Sequence, residues 1–207
     1  MLRVDVGALG TMAEGAVAGS LRALLGADRA AAHAVIAGDD RLDALFVALE
    51  ERAYSLVARQ APVAADLRGL MSSLRVMADF EKTGDRAVAV AKSALADWQR
   101  EGTTVAILGR MGDLALDLLR AARAAWVDQD LLVASDLRHR DDVLDGTYRE
   151  LVAHLLAQEG PYAPGLVLHA HTAGRNLERV ADHAVIVGER VSYMLTGDPG
   201  ALAAEVR

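Results

Sequence analysis

Four pairs of carboxylates stand at i, i+4 spacing: Asp39 with Asp43, Glu81 with Asp85, Asp141 with Asp145, and Glu178 with Asp182. On a helix such a pair sits one turn apart on one face. Like charges at that spacing destabilise an exposed helix by about 0.2–0.5 kcal/mol. One pair means little, but four at matching positions in two parts of the chain call for a cause. A hard cation supplies one, because carboxylate oxygens suit such ions and two facing pairs offer four groups able to bridge more than one. The candidate ions are Mg, Mn, Fe, Zn or Ca, and spacing does not choose among them.

A structural reading stands beside the metal reading. Asp39, Asp40, Asp141 and Asp142 fall where helices are expected to start, and aspartate is favoured at N-caps and in first turns. Glu178 with Arg175 and Asp85 with Lys82 have the spacing of ordinary surface bridges. Against this, the stripe Leu67, Leu70, Met71, Leu74, Met77, Ala78 puts Asp85 in line with Leu67 and Glu81 roughly 40° away at 3.6 residues per turn. Glu178 likewise aligns with Val167 and Val185, with Asp182 at the stripe's edge. The acids therefore extend faces expected to point inward, where a carboxylate without a partner is costly. The histidines are scattered, and none is assigned a role. His183 follows Asp182, but its first-half counterpart is Arg86, which does not ligate metals.

The elements that position these acids are helices. Alanine and leucine dominate, aromatics make up 4% and prolines number four, a composition suited to close helix packing rather than sheets. Periodicity predicts a first helix over about Ala8 to Ala37, ended by Gly38. A second runs from Asp39 or Asp40 to about Arg59, and a third from about Ala65 to Trp98. After the linker Glu101-Gly102-Thr103-Thr104, whose threonines are expected to cap, a fourth helix spans about Val105 to Ala134. A fifth covers Asp141 to Gln158, and a sixth Pro164 to Leu195.

The halves resemble each other. Leu9-Gly10-Thr11-Met12 matches Leu108-Gly109-Arg110-Met111 at an offset of 99, the Asp39/Asp43 pair matches Asp141/Asp145 at 102, and Glu81/Asp85 matches Glu178/Asp182 at 97. This is an internal duplication with length changes in the connections. The fold class expected is all-α, two tandem three-helix bundles over residues 1–100 and 105–207.

Bulk properties exclude several classes. The net charge of −7 without a basic stripe argues against nucleic-acid binding. The absence of cysteine excludes disulfides, thiolate metal sites and cysteine nucleophiles. No signal-like leader or membrane-spanning run is found, so a cytoplasmic protein without direct membrane insertion is expected. Nothing matches a phosphate-binding P-loop or a nucleophile elbow. Ala181 and Gly84 stand where a Glu-x-x-His di-iron motif needs histidine.

Asp79-Phe80-Glu81-Lys82-Thr83-Gly84-Asp85-Arg86-Ala87 resembles the D-L-E-R-I-G-D-H-A signature of PhoU proteins, and Asn176-Leu177-Glu178-Arg179-Val180-Ala181-Asp182-His183-Ala184 is a second copy. Arg59-Gln60-Ala61-Pro62-Val63-Ala64-Ala65-Asp66-Leu67-Arg68 is similar to that family's R-Q-x-P-x-A-x-D-L-R segment, which has no clear equivalent in the second half. Lys82, Thr83 and Ala181 depart from the pattern, whereas all eight acids are kept. The resemblance implies a negative regulator of phosphate uptake and of the phosphate-starvation response, not an enzyme. It implies an adaptor between the ATPase of a phosphate ABC transporter and a sensor histidine kinase, metal bound through the paired acids, and a homodimer. A peripheral position at the inner membrane face would come through those partners. A carboxylate-bridged metalloenzyme and a structural accessory bundle of another phosphate transporter are the alternatives.

Overall fold

The computed structural model describes residues 2–202. Six helices, α1 (Leu2–Gly26), α2 (Arg29–Gln60), α3 (Ala64–Leu95), α4 (Gly102–Asp128), α5 (Leu131–Leu156) and α6 (Ala163–Thr196), are followed by a 3-10 turn over Pro199–Leu202. Residues 1 and 203–207, which the expected limits of the two units include, lie outside the described residues.

Two joints differ from expectation. α1 ends at Gly26 rather than Ala37, and α2 begins before the acidic pair rather than at it. Ala27 takes a left-handed φ of 52°, and the Asp28 side chain accepts the Ala31 N–H at 3.0 Å. The second half repeats the device: Gln129 has φ 57°, and Asp130 accepts from Leu132 N at 2.9 Å and Val133 N at 3.1 Å. α4 therefore stops at Asp128, and α5 starts at Leu131, ahead of Asp141. In neither joint is the left-handed residue itself a glycine, and neither joint carries a proline. A left-handed non-glycine residue costs about 1–2 kcal/mol, and an aspartate cap offsets about 1 kcal/mol of it. Asp39, Asp40, Asp141 and Asp142 are thus helix-interior residues, and the capping reading of them is overturned. At the linker, Glu101 rather than a threonine caps α4, accepting from Thr103 N and Thr104 N at 2.7 Å each.

Each half is a three-helix bundle. Among the described residues, α2 packs only on α1 and α3, and α5 only on α4 and α6, while α1 meets α4 and α3 meets α6. Both seams between the halves are antiparallel. Along α3–α6, Arg68 Nε donates to the Met194 carbonyl at 3.2 Å, and Asp79 lies 3.0 Å from His183 further along. Along α1–α4, Trp126 Nε1 donates to the Arg3 carbonyl at 3.1 Å, and Glu14 pairs with Arg123. One apolar cluster runs through both halves, with Leu9, Phe80, Leu108 and Trp126 all fully buried. Each large side chain so buried stabilises the fold by roughly 1.5–3 kcal/mol.

α3 corrects one expectation. Leu67 and Met71 are 39% and 48% exposed, because burial follows the contacts of α3 with α1, α2 and α6. Its buried face runs through Leu70, Val76, Met77, Phe80, Thr83, Gly84 and Ala87. The row from Leu67 to Asp85 is the helix's flank, partly open to solvent beside α2. No helix among the described residues is long and apolar enough to cross a membrane.

Candidate functional site

The acids converge by halves. α2 places Asp39 and Asp43 against Glu81 and Asp85 of α3, so that Asp39 is raised in pKa by burial and by the charges of Asp43, Asp85 and Asp40. Glu81 is raised by burial, Asp85 and Asp43. A methyl group built on Gly84 would lie 3.6 Å from Asp39 Oδ1, so the aspartate reaches over the α3 backbone between its two acids.

The second quartet is more enclosed. Asp141 of α5 is pushed up to about 7, first by desolvation and then by the charges of Asp145, Asp182 and Glu178. Glu178 is raised by burial and Asp182, against the opposing pull of Arg175, which holds it at 2.5 Å. Asp182 keeps a solvent-exposed edge, but protein packed on its inner side raises it, opposed first by His183. All eight sequence-predicted residues therefore fall into two quartets, each between the second and third helices of its half.

Uncompensated carboxylates repel, and as they stand no three His, Cys, Asp or Glu side chains among the described residues converge closely enough to chelate an ion. The second quartet nonetheless has the chemistry a hard cation needs. Asp141 Oδ1 and Glu178 Oε2 are buried without a hydrogen-bond partner, a costly condition that a cation relieves.

The sequence did not disclose what lies between the quartets. His183 of α6 meets buried Asp79 of α3, and because a carboxylate only accepts, the His183 Nδ1–H donates. The available signal was Asp79 itself, an acid on the apolar face of α3. The second miss is a cavity of about 540 Å³ beside the second quartet, whose wall includes Lys82 and Arg86 of the first half.

Comparison with known proteins places this geometry. The PhoU domain model matches twice, over residues 6–94 and 108–191. The chain belongs to the PhoU family. The PhoU fold is matched closely by solved structures. PhoU from Pseudomonas aeruginosa is 28% identical with a TM-score of 0.88, covering 95% of this chain and 96% of that one. The phosphate transport system regulatory protein PhoU from Streptococcus pneumoniae is 25% identical with a TM-score of 0.86, covering 95% and 94%. A relative from Mycobacterium tuberculosis, "Phosphate-specific transport system accessory protein PhoU homolog 1", is 35% identical over 179 residues, 85% of this chain and 81% of the relative. A PhoU homolog from Rhizobium meliloti is 34% identical over 198 residues, 91% of this chain and 81% of the relative. Both halves of the duplication are thus PhoU domains, and the third-helix acids of each quartet, Glu81 with Asp85 and Glu178 with Asp182, lie within the motifs that carry the resemblance.

Proposed function

We propose that this chain is the regulatory accessory subunit of a phosphate-specific transport system, a negative regulator of phosphate uptake and of the starvation response rather than an enzyme. It works in the cytoplasm as a homodimer and links the transporter's ATPase subunit to a sensor histidine kinase, reaching the membrane only through them. The observation that supports the reading best is the double match to the PhoU domain with both carboxylate quartets kept. Deleting the gene in its host and measuring phosphate-starvation transcripts in phosphate-rich medium tests it. Derepression is expected, together with capture of the ATPase and the kinase on the tagged chain. Transcripts that stay silent defeat the regulatory role, and failure to capture both partners defeats the adaptor role.

Within this reading, Asp39, Asp43, Glu81 and Asp85 hold one metal centre, and Asp141, Asp145, Glu178 and Asp182 another. Bound cations would neutralise the quartets and tie α2 to α3 and α5 to α6, stiffening the outer helices that a partner meets. Thermal unfolding after chelation and on return of Mn²⁺ or Mg²⁺ checks this. A melting temperature indifferent to both ions removes the metal centres from the proposal.

A further inference from the structure

The cavity beside the second quartet joins two opposite kinds of group. Its wall brings together Lys82 and Arg86 from α3, Arg138 from α5, and Arg175 and Arg179 from α6. Five cations from three helices and both halves therefore face one space, together with four aspartates. Two of the cations are engaged, Arg138 with Glu189 and Arg175 with Glu178. Lys82, Arg86 and Arg179 make no ion pair among the described residues, and Arg86 Nε is buried without any hydrogen-bond partner. A guanidinium donor withdrawn from water and left unused is costly unless something accepts from it.

The duplication sorts the cations of this wall into two sets. Lys82 and Arg179 correspond at the offset of 97, as do Arg86 and His183, so these four would follow from symmetry about the α3–α6 seam. Arg138 and Arg175 do not follow. Their first-half counterparts, at offsets of 102 and 97, are Ile36 and Ala78. Only the second half carries the extra arginines, and only its quartet borders this cavity.

We propose that this cavity binds a tetrahedral phosphate-class oxyanion, held by Lys82, Arg86 and Arg179 and favoured by a cation on the neighbouring quartet. The proposal rests on the metal reading only for its second part. Arginine presents paired donors that match phosphate oxygens, and lysine adds a point charge. Without a metal, the three cations of the wall that make no ion pair among the described residues face four aspartates. A divalent ion cancels two carboxylate charges and turns the balance of the space positive. Metal and anion then raise each other's affinity, as linkage requires.

Equilibrium dialysis of the full chain against radiolabelled inorganic phosphate at constant ionic strength, with and without Mn²⁺, tests this, with bound manganese measured in the same samples. One saturable phosphate per chain is expected, bound about tenfold more tightly with Mn²⁺. Lys82→Ala and Arg179→Ala, both at exposed positions that leave the core intact, weaken it by about tenfold each, whereas Arg59→Ala, distant on α2, leaves it unchanged. Phenyl phosphate competing as well as phosphate assigns the site to phosphorylated molecules, and weak competition assigns it to the free ion. No saturable phosphate with or without Mn²⁺ overturns the inference even if manganese is retained. Phosphate bound in a chain that takes up no manganese removes the metal reading and leaves the anion site. Equal phosphate affinity with manganese bound and absent defeats the linkage.

Discussion

Asp79 of α3 and His183 of α6 meet at 3.0 Å across the seam between the halves, with 8% and 14% of their side chains exposed. The bond sits between the two carboxylate quartets and ties together the helices that carry their third-helix acids. Truncating His183 strands a buried carboxylate, which costs about 1–3 kcal/mol. His183→Ala is therefore expected to lower unfolding stability by that amount. Asp79→Ala, which removes the charge as well, costs less when made in the His183→Ala background than alone. A double-mutant cycle by urea denaturation checks this, and a coupling below about 0.5 kcal/mol shows the bond to be incidental.

The raised pKa of Asp141 predicts a pH dependence with a definite sign. Its carboxyl is protonated up to about pH 7 in the folded chain but only to about 3.8 when unfolded. Between those values the folded state binds more protons, so metal-free stability falls as pH rises from about 4 to about 7 and then levels. Asp141→Asn removes this component and is expected to stabilise the metal-free chain at pH 7.5 by on the order of 1–3 kcal/mol. Melting temperatures in chelator from pH 4.5 to 8 measure it. A variant no steadier than the parent at pH 7.5 contradicts the crowding of the second quartet.

Helix caps set the joints, and two of them are open to direct test. Asp130→Ala unseats two amide bonds at the start of α5, and Glu101→Ala two at the start of α4. Each is expected to cost about 1 kcal/mol. Glu101 is held down at about 2 by the Thr103 and Thr104 amides, so its contribution persists at neutral pH and is lost only as pH falls toward 2. Denaturation at pH 7 that leaves both variants at parental stability would show that the caps do not hold the joints.

Close approach of α5 to α6 depends on Gly188. A Cβ there would lie 2.7 Å from the Ala134 carbonyl oxygen, and backbone cannot swing aside as a side chain does. Gly188→Ala is expected to destabilise by about 1–3 kcal/mol. Gly146, inside α5 with open space at its Cβ position, behaves oppositely, and Gly146→Ala gains about 0.5–1 kcal/mol. Equal effects of the two substitutions would contradict the packing of these helices.

What the chain announced by itself was its local and repeated order: six helical segments, a duplication, and acids one turn apart on shared faces. Helical periodicity and i, i+4 spacing are properties of a single segment and need no partner to be read. The joints at Ala27-Asp28 and Gln129-Asp130 were hidden because each breaks the helix with a left-handed residue and a capping aspartate instead of glycine or proline. Their recurrence at an offset of 102 was a sequence signal that pointed to them. Only the tertiary structure decided that Asp39 faces Glu81 and Asp85, that Asp79 meets His183, and that Lys82 and Arg86 line a cavity beside the other half's acids. Those relations depend on the crossing and register of helices about a hundred residues apart, which are set by how buried surfaces fit and not by any periodicity within one helix.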